Sequence, residues 1–121
     1  MAEAALVEPS VTQGREFLDL LDRIGVPVKG ALWYYYPDSD RWRLLIITDQ
    51  AKAGTKQLYL KAIEAGATID LASVEFQDLD SPIYRALSSV IHVEDRSDVR
   101  MSRNMFNGVY VADALVFRMT R

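Results

Sequence analysis

The chain has 121 residues, half of them apolar and 26% charged, with a formal charge of −3 and no cysteine. That composition belongs to a globular domain able to bury a core without staples, and it excludes the disordered class. It also excludes disulfides, a thiolate zinc site, a cysteine nucleophile and, with one histidine, a histidine-rich metal site, while a carboxylate site for a hard divalent cation stays open.

Residues 1–9 read as a loose arm and residues 10–121 as one domain. "MAEAALVEP" lacks the basic and then apolar regions of a signal peptide, and no apolar run is long enough to span a bilayer, so a cytoplasmic chain without membrane contact is expected. From Ser10 the spacing predicts a helix. Ser10 or Thr12 serves as cap, Phe17, Leu18, Leu20, Leu21 and Ile24 form the apolar stripe, and Gly25 and Pro27 end it.

"VKGALWYYYPDSDRWRLLIIT" predicts a hairpin around the turn residues "PDSD". With Tyr36 opposite Arg41, Tyr35 meets Trp42, Trp33 meets Leu44 and Ala31 meets Ile46 on a wholly apolar face. Tyr34 meets Arg43 on the other face, whose deeper residues Leu32, Leu45 and Ile47 require a cover. A helix over Thr55–Ala65 with Leu58 and Ala62 inward and Ile63 as a third candidate for the buried stripe, a strand over Ser73–Gln77, and a helix capped by Ser81 with Pro82 in its first turn follow. In that last helix Ile83, Leu87 and Val90 or Ile91 face inward.

The closing stretch "VRMSRNMFNGVYVADALVFRMTR" predicts a second hairpin. A two-residue turn at Asn107-Gly108 places Val99, Met101 and Met105 on one face and Val109, Val111, Leu115 and Phe117 on the other. A three-residue loop or a bulge restores one apolar face. Met105 then opposes Val111, Met101 opposes Leu115, and Arg103 opposes Asp113 as a structural ion pair that fixes the register. The order helix, strand, strand, helix, strand, helix, strand, strand describes an α+β domain with helices on one mixed or antiparallel sheet of about five strands.

Charge is uneven. Residues 1–95 hold nine basic and fifteen acidic side chains, and residues 96–121 hold five arginines and two aspartates. Tyr34, Tyr36, Arg41 and Arg43, with Arg100 and Arg118, form the candidate binding surface. Arginine over tyrosine either stabilises an exposed sheet face or offers cation–π contacts and stacking platforms to single-stranded nucleic acid. Net acidity weighs against the latter, because phosphate contacts dominate such affinity. "PD" at 37–38 and "EFQ" at 75–77 resemble the PD-(D/E)xK nuclease signature with Gln77 in the lysine position, which makes Asp38 and Glu75 metal-ligand candidates of a hydrolase. His92 near Glu94 and Asp95 has the makings of a base oriented by a carboxylate, against the commoner solvated histidine. No catalytic set, metal site or cofactor motif stands out.

Over residues 28–119, through "ALWYYYPDSDRWRLLI", "SPIYRALSSVI" and "SRNMFNGVYVADALVFR", the chain resembles a group of short uncharacterised bacterial proteins. The resemblance implies a bacterial cytosolic origin and carries no activity, cofactor or catalytic residue. The leading expectation is a small accessory domain that binds a protein partner or itself, with nucleic-acid binding and metal-dependent hydrolysis as the alternatives.

Overall fold

The computed structural model describes residues 5–94 and 97–121. Helix α1 spans Glu8–Arg23, strand β1 Gly30–Tyr36, β2 Arg41–Ile47, α2 Lys56–Glu64, β3 Val74–Gln77, α3 Pro82–Ser88, β4 Val99–Phe106 and β5 Val109–Met119. Short 3₁₀ turns at Asp49–Ala53 and Leu71–Ser73 bracket α2. The five strands form one sheet in the order β3-β2-β1-β5-β4. Only β2 and β3 run parallel; the other pairs are antiparallel. The fold is α+β, as the order of elements in the sequence indicated.

The central strands are apolar on both faces because both faces are covered. On the first face Ala31, Trp33, Leu44, Ile46 and Phe117 meet α1 and α2 through Phe17, Leu21, Leu58 and Ala62. On the second, Leu32, Leu45, Ile47 and Val116 meet α3 through Tyr84 and Leu87. Helix α3 is therefore the cover that the buried positions of the first hairpin required. Its Ser81 cap accepts from the Tyr84 backbone N–H at 3.3 Å, and the Tyr84 hydroxyl donates to the Thr120 carbonyl at 2.6 Å. The helix ends at Ser88, so Val90 lies outside it and is 51% exposed.

Helix α1 starts at Glu8, within the stretch read as a loose arm, and Val7 rather than Ser10 or Thr12 is its cap residue. No side chain caps this end. Instead Leu6 and Val11, one residue before the cap and four after it, both pack against the first core. These are the positions of a hydrophobic staple, which fixes a helix start without a capping oxygen. Residues 1–4 of the arm lie outside the described residues.

Gly14 lets α1 approach the sheet. A Cβ there would stand 2.5 Å from Trp33 Nε1 and 3.0 Å from the Phe117 ring. The indole N–H of Trp33 uses the space to donate to the Ser10 carbonyl at 3.2 Å.

The first hairpin has the expected register, with Tyr36 opposite Arg41 and Trp33 opposite Leu44. The second does not. It keeps the two-residue turn, with Asn107 and Gly108 at φ 45° and 83°, and Phe106 opposes Val109, Met105 opposes Tyr110 and Ser102 opposes Asp113. Arg103 therefore does not pair with Asp113, and Met105 is not a core residue but 60% exposed. The expected ion pair is replaced by one between Arg100 and Asp113.

The physical reason is that β5 changes phase twice, so strict alternation misreads it. Val111 and Ala114, three apart, both face the second core. On β4 the matching change falls at Arg103, which has φ 51°. Further along, Ala31 opposes Arg118 while Leu32 opposes Val116, so Phe117 is the extra residue of a β-bulge. Val116 and Met119 then both reach the second core, and Leu115 and Phe117 the first.

Two substitutions check this reading. Gly14→Ala, which in an ordinary helix interior gains about 0.5–1 kcal/mol, is expected to lower stability by about 1–3 kcal/mol because the methyl overpacks Trp33 and Phe117. Arg103→Gly is expected to raise stability by up to about 1 kcal/mol by relieving the left-handed backbone. Urea midpoints of the two variants against the native chain decide both.

Candidate functional site

The residues proposed as a binding surface fall on opposite faces of the sheet. Tyr34, Tyr36, Arg41 and Arg43 share the second face, at the end that α3 leaves open, where β1 and β2 approach their connecting turn. Arg100 and Arg118 lie on the first face: Arg100 opposes Leu115, and Arg118 opposes Ala31.

On the second face Tyr34 is buried, 7% exposed, with its hydroxyl donating to the Tyr110 carbonyl at 3.2 Å. Burial raises its phenol pKa above the ordinary value. Tyr36 packs edge-on against Tyr34, with ring centroids 5.0 Å apart, and its hydroxyl donates to Glu75 Oε2 at 3.4 Å. Neither ring therefore presents a free flat face in the manner of a base-stacking platform.

Glu75 of β3 is the hub. The parallel register sets Leu45 opposite Glu75, which leaves Arg43 within reach along the same face. Arg43 Nε lies 3.3 Å from Glu75 Oε1, near enough to pair in charge but out of line for a hydrogen bond, and the buried Nε–H finds no acceptor. Gln77 Nε2 donates to Glu75 Oε2, and Ser81 Oγ donates to Gln77 Oε1 at 2.6 Å. A polar chain thus runs from Tyr36 through Glu75 and Gln77 to the cap of α3. With Ser39 and the exposed Arg41, Tyr36, Arg43 and Glu75 line an open concavity. The carboxylate at its centre already accepts from Tyr36 and Gln77 and faces the charge of Arg43, so the arrangement reads as a structural brace with an accessible rim.

Burial, then the charge of Glu75, then Tyr34 and the hydrogen bond to Glu75, push the Tyr36 phenol up to about 12, with Arg43 pulling the other way.

The first-face arginines are held by carboxylates. Arg118 donates to Asp22 Oδ1 at 2.9 Å and to Oδ2 at 2.7 Å, and its Nη1 also reaches the Val28 carbonyl at 3.3 Å. Its side chain is 12% exposed and fastens β5 to the end of α1. Arg100 grips Asp113 with two hydrogen bonds of 2.7 Å and lies 5.4 Å from the centre of the Trp42 ring. The hydrogen bonds to Asp113 hold its guanidinium proton more tightly than usual.

The remaining candidates do not form a reaction centre. Asp38 is an exposed turn residue, and the concavity around Glu75 does not include it. Among the described residues no group of three or more His, Asp or Glu side chains is placed to hold a metal ion. His92 Nε2 sits 3.2 Å from Glu94 Oε1 at the open surface; Asp95 lies outside the described residues. No described helix is long and apolar enough to cross a membrane.

One feature of the surface was not foreseen. β5 pairs with β1 only from Ala114 onward, so Val109–Asp113 and the facing part of β4 form a two-stranded arm at the sheet's end. One side of the arm closes the second core through Val111 and Phe106, and Asn107 Nδ2 donates to Ser89 Oγ near the end of α3. The other side shows Met105 and Tyr110, opposite each other and 60% and 52% exposed. No protein-family profile, curated protein or solved structure matches the chain.

Two measurements separate brace from surface. Arg118→Ala is expected to cost about 1.5–3 kcal/mol, because charged hydrogen bonds under cover are lost, whereas Arg100→Ala at an exposed pair costs under about 1 kcal/mol. For Tyr36 the folded value lies above the unfolded 10.0. Its contribution is therefore complete below pH 10 and fades as pH rises from 10 toward about 12. The stability difference between the native chain and Tyr36→Phe should shift against the native chain across that window and stay flat below it.

Proposed function

We propose that this chain is a small accessory domain of the bacterial cytoplasm that acts by binding protein, its own kind included, and does not catalyse a reaction. The observation that carries this reading is the arm. A strand pair that is core on one side displays a methionine and a tyrosine on the other, each more than half exposed. Methionine, tyrosine, tryptophan and arginine are the side chains enriched where proteins meet, and Trp42 and Arg100 lie against each other on the same face of the sheet. The cysteine-free composition suits a reducing compartment.

Single-stranded nucleic acid is the second reading, and exposed Arg41 beside Arg43 favours it. It has less support, because Tyr34 is buried and Arg43, Arg100 and Arg118 each stand against a carboxylate.

Light scattering coupled to size exclusion tests the choice, with the native chain run alone and with a labelled single-stranded oligonucleotide at low and moderate salt. A discrete oligomer that ignores the oligonucleotide is expected. A co-eluting complex that dissolves as salt rises would establish the nucleic-acid reading instead. A strict monomer that binds neither oligonucleotide nor protein would overturn the proposal.

A further inference from the structure

We propose that Asn107 is a site of spontaneous deamidation in the folded protein, and that the reaction unfastens the tip of the β4–β5 arm from α3.

The chain holds two asparagines, Asn104 and Asn107, and only Asn107 is followed by glycine. Deamidation begins when the backbone nitrogen of the next residue attacks the asparagine Cγ. Glycine has no Cβ to shield that nitrogen. A Cβ built on Gly108 would meet nothing within 4 Å, so the turn stands open to water. Asn104 differs on both counts: Met105 follows it, and it lies in the paired part of β4 opposite Val111.

The reaction consumes only water. A bond forms between Gly108 N and Asn107 Cγ, the Cγ–Nδ2 bond breaks, and the amide nitrogen leaves as ammonia with the proton of the Gly108 nitrogen. Water then opens the cyclic imide at one of its two carbonyls. One opening leaves aspartate. The other leaves isoaspartate, whose main chain runs through the former side chain and is one methylene longer.

Neither product fits this turn as asparagine does. Ser89 Oγ has a single proton, which it donates to the Ala86 carbonyl at 2.8 Å, so it meets Asn107 as an acceptor, and Asn107 Nδ2 supplies the donor. A carboxylate at 107 has no proton to offer and faces the lone pairs of Ser89. Isoaspartate fails in a second way. The turn holds Asn107 and Gly108 at φ 45° and 83° between the paired Phe106 and Val109, and a longer main chain breaks that two-residue closure. Either product removes the link between the arm and Ser89 at the end of α3. The same link restrains the reaction, because Nδ2 held on Ser89 keeps the carboxamide from turning toward the Gly108 nitrogen. Conversion in the folded chain therefore runs through local opening of the tip.

Peptide mass mapping tests this on the folded chain, incubated at neutral and mildly alkaline pH beside the same chain unfolded in guanidinium chloride. The expected result is amide-to-acid conversion at Asn107 in both, slower in the folded chain, with Asn104 unchanged. The rate should rise with pH, because the attacking nitrogen must shed its proton. S89A, checked for folding by circular dichroism, is expected to convert about two- to tenfold faster in the folded state, as the loss of one hydrogen bond implies, and at the native rate when unfolded. N107D stands in for the aspartyl product: it should lower the melting temperature of the native chain and lower it no further in the S89A background. An Asn107 that stays intact in the folded chain while the unfolded chain converts overturns the proposal, as does equal conversion of Asn104. An N107D penalty that persists undiminished without the Ser89 hydroxyl, or a folded-state rate that S89A leaves unchanged, overturns it too.

Discussion

The rest of this structure depends on a sheet whose central strands must bury both faces at once. β1 sends Ala31 and Trp33 to one core and Leu32 and Tyr34 to the other, and β2 does the same with Leu44 and Ile46 against Leu45 and Ile47. Each fully buried leucine or isoleucine contributes about 1.5–3 kcal/mol, so neither face can be left to water. The chain spends its three helices accordingly. Two amphipathic ones cover the first face, and the short, well-capped α3 covers the lower part of the second. The end that α3 does not reach is closed by the polar brace of Tyr36, Arg43, Glu75 and Gln77 and by the inner side of the arm.

Much of this was legible in the sequence for a local reason. The first hairpin has a short turn between two β-rich runs, so one pairing fixes all the others. Ser81-Pro82 marks a helix start through the geometry of its own few residues, and Gly25 and Gly66 mark helix ends. The need for a cover over Leu32, Leu45 and Ile47 followed from their alternation alone. Other features were not local. The partner of Arg43 is Glu75, thirty-two residues on, and it comes within reach only because β3 adds parallel to β2 after a helical crossover. Nothing in the "VEFQ" stretch announces that neighbour. The start of α1 was misplaced for a related reason: its staple residues Leu6 and Val11 declare themselves only once a core exists to receive them.

The closing hairpin is the instructive failure. Alternation demanded one apolar face, and Asn107-Gly108 demanded a two-residue turn; sequence reasoning gave way on the turn. The chain gives way on the alternation. It places Arg103 in the left-handed region, which costs roughly 1–2 kcal/mol, and sets one extra residue at Phe117. In return, Val111, Ala114, Val116 and Met119 all reach the second core while Leu115 and Phe117 reach the first. Several buried side chains outweigh one strained residue. A run of apolar residues at spacings of three, two and three is the trace such re-phasing leaves in a strand, and a period of two alone cannot resolve it.

The same irregularity governs what the surface can do. β4, like β3, is an outer strand of the sheet, and an outer strand with a free edge invites open-ended addition of further strands. A residue at φ 51° in the middle of β4 interrupts the regular ladder another strand would need. It also turns the arm so that Phe106 and Val111 go inward and Met105 and Tyr110 outward. Addition of a further strand along this edge is thus discouraged.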